Sequence, residues 1–130
     1  MAYKILLVED NNDCRDLFAM LFRHLGLQVL QANNGEIAVQ KALSEKPDII
    51  FMDLSMPKMS GIEATTFLRE SVVTKNTPII ICTGWMARKQ REMALESGAH
   101  EVVTKPMSIK QIETVLTRYL PAAGQFMQVH

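Results

Sequence analysis

Surplus charge of either sign is missing from this sequence. Fourteen basic residues meet fourteen acidic ones, so there is no global field to hold nucleic acid or an anionic membrane, and any partner must be recognised locally. Long apolar runs are missing too. No stretch reaches the ~20 residues of a membrane span, and Met1-Ala2-Tyr3-Lys4 leads straight into a short aliphatic run with no signal-peptide pattern. Cysteine is scarce: Cys14 and Cys82 stand far apart without CxxC spacing, which excludes the common redox and zinc motifs and reads as two core thiols in a reducing cytosol. His24, His100 and His130 lack ligand-like spacing, so surface or packing roles are expected of them. A cytoplasmic protein, with neither membrane insertion nor direct nucleic-acid binding, is the expectation.

What is present is enough apolar material for one core: 48% of 130 residues, the size of a single domain. The stretch Ile49-Ile50-Phe51-Met52-Asp53-Leu54-Ser55-Met56-Pro57 organises the rest. Four apolar residues in a row read as a strand buried on both faces, because a half-exposed strand alternates with polar residues. The run ends on a carboxylate. Pro57 has no N–H to extend a ladder, so the chain turns with Asp53 at the lip of the sheet.

Around this stretch, strand and helix signals alternate. Ile5-Leu6-Leu7-Val8 is closed by Glu9-Asp10-Asn11-Asn12, whose Asx side chains suit a helix N-cap. The helix that follows carries Cys14, Leu17, Phe18, Leu21, Phe22 and Leu25 at spacings expected to face a core, and Gly26 stops it. Gln28 to Asn33 is a weaker strand. A second helix opens at Asn34-Gly35 and runs to about Lys46, with Ile37, Ala38, Ala42 and Leu43 inward. Ser60-Gly61-Ile62-Glu63 is a capping box for a helix to about Val72, expected to face inward on Ile62, Thr66 and Phe67. Pro78 to Thr83 is a fourth buried strand ending in a hydroxyl. In the next helix, from about Met86 to Ser97, Arg88, Lys89 and Arg91 leave little apolar face beyond Met86, Met93 and Ala94, so it should be loosely held. Glu101 to Thr104 is a fifth strand, stopped by Lys105-Pro106. Ser108 and Gln111 then cap a helix with Ile109, Ile112, Leu116 and Tyr119 inward.

Five strands, each followed by a helix through a short connection, imply an α/β fold: a doubly wound five-stranded parallel sheet covered on both faces, with right-handed crossovers. Ligands in such sheets bind beyond the carboxyl ends of the strands, where the strand order reverses. The polar residues follow that rule. Glu9 and Asp10 end the first strand, Asp53 the third, Thr83 the fourth and Lys105 the fifth, whereas the second ends on uncharged Asn33-Asn34. This pattern suits the flavodoxin-like order 2-1-3-4-5.

Three carboxylates in one crevice repel each other, and burial worsens it, so a proton, a cation or Lys105 must compensate. A hard divalent ion is the simplest remedy, and Mg2+ takes oxygen ligands while leaving its sphere open to phosphate oxygens. With charge offset in this way, Asp53 becomes an in-line nucleophile on phosphorus, giving an aspartyl phosphate. Lys105 and Thr83 then meet the other phosphoryl oxygens.

In these residues the chain resembles the receiver domain of two-component response regulators over about residues 4 to 120. Glu9-Asp10 is similar to the family's acidic pair, Asp53 to its phosphoacceptor, Thr83 to its switch hydroxyl and Lys105-Pro106 to its lysine with a cis-prone proline bond. Asp53-Leu54-Ser55-Met56-Pro57 followed by Ser60-Gly61 resembles its loop. The resemblance implies that Asp10 ligates Mg2+ directly, Glu9 mainly through water, and the main-chain carbonyl of Ser55 supplies a further ligand beside Asp53. It implies a histidine kinase or phosphotransfer protein as phosphoryl donor and an unknown downstream protein as target.

One position departs from the family. Its usual aromatic residue, three positions before the lysine, is here Val102, whose branched side chain has few rotamers to exchange. Output is expected instead from the fourth helix and its basic Arg88, Lys89 and Arg91. Among rival chemistries, a phosphatase of the haloacid dehalogenase type needs an acid two residues after its nucleophile, where Ser55 stands. A flavodoxin-type flavin carrier wants a hydroxyl-rich phosphate loop where Glu9-Asp10 would repel it. A receiver-like interaction module that is never phosphorylated is a third alternative. Trp85, two residues past Thr83, is expected at the rim of the site. Residues 121–130 are expected to be a tail without a domain of its own.

Overall fold

A computed structural model describes residues 3–54, 56, 58–84 and 88–120 of the chain. The elements alternate from the start: β1 (Lys4–Val8), α1 (Asn12–His24), β2 (Gln28–Ala32), α2 (Gly35–Glu45), β3 (Ile49–Met52), α3 (Gly61–Glu70), β4 (Ile79–Thr83), α4 (Arg88–Glu96), β5 (Glu101–Thr104) and α5 (Ile109–Tyr119). All four strand pairings are parallel, and the sheet order is β2-β1-β3-β4-β5, as the strand ends had implied.

Because side chains alternate across a strand, each buried strand feeds two cores. Ile5, Leu7, Ile49, Phe51, Ile80 and Cys82 point to the layer built with Ala19 and Phe22 of α1 and with Ile112, Val115 and Leu116 of α5. Leu6, Val8, Ile50, Met52, Ile79 and Ile81 point to the other, built with Ala38 and Ala42 of α2, Ala64 and Leu68 of α3 and Ala94 of α4. Phe22 meets Phe51 edge to face at 5.0 Å, a geometry worth about 1 kcal/mol beyond simple burial.

The helix starts follow the predicted caps. Asn11 Oδ1 accepts from the Cys14 N–H, Asn34 Oδ1 from the Ile37 N–H, and Ser60 and Ser108 close reciprocal capping boxes with Glu63 and Gln111. Several faces differ from the expected ones. Leu17 of α1 is 58% exposed, and the buried contacts are Ala19 and Phe22. In α3, Thr66 and Phe67 look outward, while Gly61, Ala64, Thr65 and Leu68 face the sheet. Small residues let the helix axis approach closely, and that approach, not the largest apolar residue, chose the face. Ile109 lies in the first turn of α5 and is exposed, while Val115 joins Ile112 and Leu116 inside. In α4 only Ala94 is buried, and Met93 is exposed, in keeping with a loosely held helix; Met86 lies outside the described residues.

This architecture places the strand ends together. Val8 is in register with Met52 and Thr83 with Thr104, so the residues that follow, Glu9, Asp53 and Lys105, emerge at one edge of the sheet.

Candidate functional site

The last ladder bonds aim the site. The Asp53 N–H donates to the Val8 carbonyl at 3.0 Å, the Glu9 N–H to the Ala32 carbonyl at 3.0 Å, and the Lys105 N–H to the Thr83 carbonyl at 2.7 Å. Main-chain hydrogen bonds thus hold the first residue past each strand, and the side chains converge. Glu9, Asp10 and Asp53 each bring a carboxylate oxygen within 4.8 Å of the other two. Lys105 Nζ makes an ion pair with Glu9 Oε1 and stands 3.9 Å from Asp53 Oδ2. Both Glu9 oxygens have a partner, since its Oε2 accepts from the Asn11 N–H at 3.2 Å. Asp53 Oδ1 accepts from the Leu54 N–H at 2.8 Å. Thr83 is buried at the end of β4, and the Lys105–Pro106 peptide bond is cis.

Burial and charge divide the two central acids. Burial pushes the Glu9 carboxyl up, but the Lys105 ammonium bonded to it and the Asn11 N–H outweigh that, and the net result lies below the ordinary glutamate range. Asp53 goes the other way: burial, with the Glu9 charge beside it, overcomes the attraction of Lys105 and raises its pKa from 3.8 to about 6. Burial opposes the charge on Lys105, yet its bond to Glu9 and the Asp53 charge prevail and hold the ammonium above the usual lysine range. One lysine serves two carboxylates unequally, so Asp53 remains under-compensated.

That imbalance leaves negative charge for a cation to offset. The three donors are all oxygens, with no histidine or thiolate among them, which suits a hard cation such as Mg2+ better than zinc or copper. The residues fit such an ion. Ser55 and Trp85, also expected here, lie outside the described residues.

Two contributions go beyond the sequence reading: the close approach made at Gly61, a residue already named in the capping box and the loop, and a contact from Arg15. The N–H of Gly61 donates to the Leu54 carbonyl at 2.8 Å, and a Cβ at Gly61 would collide with the Asp53 carbonyl oxygen and approach the Leu54 Cα to 3.1 Å. Glycine here lets α3 lie directly against the turn that presents Asp53. The signal was its place inside a capping box next to that turn. Arg15 of α1 reaches back to the Glu9 carbonyl at 2.8 Å, a contact to main chain that residue types alone do not reveal. Cys14, expected in the core, is only half-buried and lies 4.0 Å from Lys105 Nζ.

A doubly wound parallel sheet with an acidic trio and a lysine at its carboxyl edge defines the class: a receiver fold of the flavodoxin-like type. Comparison with known proteins gives the family. Residues 5–117 match the response regulator receiver domain, and the chain belongs to that family. Hybrid signal transduction histidine kinase G of Dictyostelium discoideum is 36% identical over 126 residues, covering 95% of this chain and 4% of the kinase. The polar-differentiation response regulator DivK of Brucella anthropi is 28% identical over 120 residues, covering 92% of this chain and 98% of DivK. The receiver domain of the sensor histidine kinase PA1611 of Pseudomonas aeruginosa superposes with a TM-score of 0.87 at 30% identity, covering 93% of this chain and 99% of that one, and holds a magnesium ion in its active site cleft. The relatives are histidine kinases and response regulators, so the chain is a two-component signalling module and not a metabolic enzyme. Among the described residues, no helix is long and apolar enough to cross a membrane.

Proposed function

We propose that Asp53 accepts a phosphoryl group from a phosphohistidine on a histidine kinase or phosphotransfer protein, in a reaction that requires Mg2+. The observation that carries this reading is the under-compensated Asp53, raised to about 6 yet ionised at neutral pH, beside Glu9, Asp10 and Lys105. An Asp53 oxygen attacks phosphorus, the P–N bond to the donor imidazole breaks, and the imidazole leaves with the bonding pair. Lys105 and Thr83 receive the other phosphoryl oxygens. Asp10, Asp53 and the Ser55 carbonyl would hold Mg2+, and Glu9, with both oxygens already engaged, would face it through water. The ion supplies charge neutralisation between the acids and the incoming phosphoryl group.

Residues 4–120 act as the receiver, in the cytoplasm, and signal by contact with a protein target. Val102 is buried at 5% exposure and is β-branched, so output runs through α4, where Ala94 alone is buried; amide resonances of α4 that stay unmoved on phosphorylation would remove that step. The phosphoacceptor reading is tested by incubating the protein with acetyl phosphate and Mg2+ and recording intact mass. The parent gains one phosphoryl group and Asp53→Asn gains none. Equal labelling of both proteins refutes the assignment, and labelling of neither leaves the non-phosphorylated interaction module as the better reading.

A further inference from the structure

We propose that Arg15 is a positioning residue for the acidic pocket: its guanidinium clamps the turn carrying Glu9 and Asp10 and so sets how tightly the site holds Mg2+. The proposal rests on the metal reading above.

At the end of β1 the ladder is complete through the Glu9 N–H, which donates to Ala32. The next main-chain acceptor, the Glu9 carbonyl, lies past the ladder. Arg15 Nη1 donates to it at 2.8 Å, and Nη2 donates to Asn12 Oδ1 at 2.7 Å. One planar group therefore ties residue 9 to residue 12 and closes a short arch over Asp10 and Asn11. The peptide that carries the Glu9 carbonyl also carries the Asp10 N–H and is planar, so fixing the direction of that carbonyl fixes where Asp10 leaves the turn. Asp10 is the most exposed of the three acids and the one for which the sheet provides least restraint.

Among the described residues Arg15 makes no ion pair with a carboxylate. Its donors are directed instead at a carbonyl and an amide oxygen, so its part in the site is geometric. Lysine keeps the charge but has no planar fork and reaches only one end of the arch. The helix itself does not depend on Arg15, because α1 is capped by Asn11 and anchored by Ala19 and Phe22. Supporting groups of this kind commonly alter metal affinity about tenfold or more when removed.

The test is isothermal titration of Mg2+ into the parent, Arg15→Lys and Arg15→Gln, with thermal melting of each in EDTA. Both variants should bind Mg2+ roughly tenfold more weakly while melting within about 3 °C of the parent. Labelling by acetyl phosphate should recover towards the parental rate at saturating Mg2+. An unchanged Mg2+ Kd in both variants overturns the proposal, and so does a weakened Kd matched by a collapse in melting temperature for both. A parent that binds no Mg2+ overturns the metal reading itself, an outcome distinct from a parent that binds and variants that match it.

Discussion

Replacing Asp53 with Asn should stabilise the metal-free protein, because the acid is held in a place that disfavours its charge. The side chain is only 13% exposed, and burial with the Glu9 charge lifts its pKa from 3.8 to about 6 against the pull of Lys105. At ~1.4 kcal/mol per pH unit, the ionised form costs the folded state about 3 kcal/mol at most. An acid whose folded-state pKa lies above its unfolded one favours folding below the lower value, and that contribution is lost as pH rises to the upper one. Asn mimics the protonated form and keeps an oxygen for the Leu54 N–H. In EDTA, urea denaturation of Asp53→Asn and the parent should therefore agree near pH 4 and diverge as pH rises, reaching about 3 kcal/mol in favour of the variant by pH 7.5. That corresponds to a Tm difference on the order of 10 °C. The shift of Glu9 runs the opposite way, with stability lost as pH falls, but it is common to both proteins and largely cancels. Saturating Mg2+ should narrow the gap by binding the parent's acids. A variant no more stable than the parent at pH 7.5, or a gap independent of pH, refutes the charge-crowding argument.

Lys105→Met should have the reverse effect, since it leaves Glu9, only 4% exposed, without its partner; a loss of about 2–3 kcal/mol is expected in EDTA at pH 7.5. The loss should shrink as pH falls below 4.5, the ordinary glutamate value, where the unfolded chain also becomes protonated, and parental stability across the whole range would contradict it. Gly61→Ala should cost about 1–3 kcal/mol, because the added methyl meets main-chain atoms of Asp53 and Leu54, and it should displace the amide resonances of those two residues; a silent spectrum argues against the close approach. Burial pushes the Cys82 thiol up to about 12 and raises Cys14 as well, so a disulfide reagent should find Cys82 inert and Cys14 slow in the native protein. Two fast thiols would show a looser packing around the site.

The sheet was readable in the sequence because buried parallel strands are short apolar runs, and the residues that close them must be the ones at the carboxyl edge. For the same reason Glu9, Asp10, Asp53 and Lys105 could be named before their distances were known, and Thr83 as the residue that closes β4. Helix faces were less readable. A stripe at spacings of three and four spans a wide arc, and only the closest approach to the sheet decides which part is buried. Leu17, Phe67 and Ile109 lie on the outer margins of those arcs. Ala19, Ala64 and Thr65 are small enough to sit at the contact itself. Arg15 stayed hidden, and Gly61 was legible only as part of a cap and a loop, because the contacts that matter at both are to main-chain atoms, which carry no residue-type signature.

The central claim is that acids from two strand ends form one metal-dependent centre in which a single carboxylate accepts phosphorus. It is met most directly by treating the protein with acetyl phosphate, trapping acyl phosphates with borohydride, and locating the reduced residue by peptide mass mapping, with Mg2+ and in EDTA. The account predicts reduction at position 53 alone, and only when Mg2+ is present. Reduction at Glu9 or Asp10, or an equal yield at position 53 in EDTA, contradicts it.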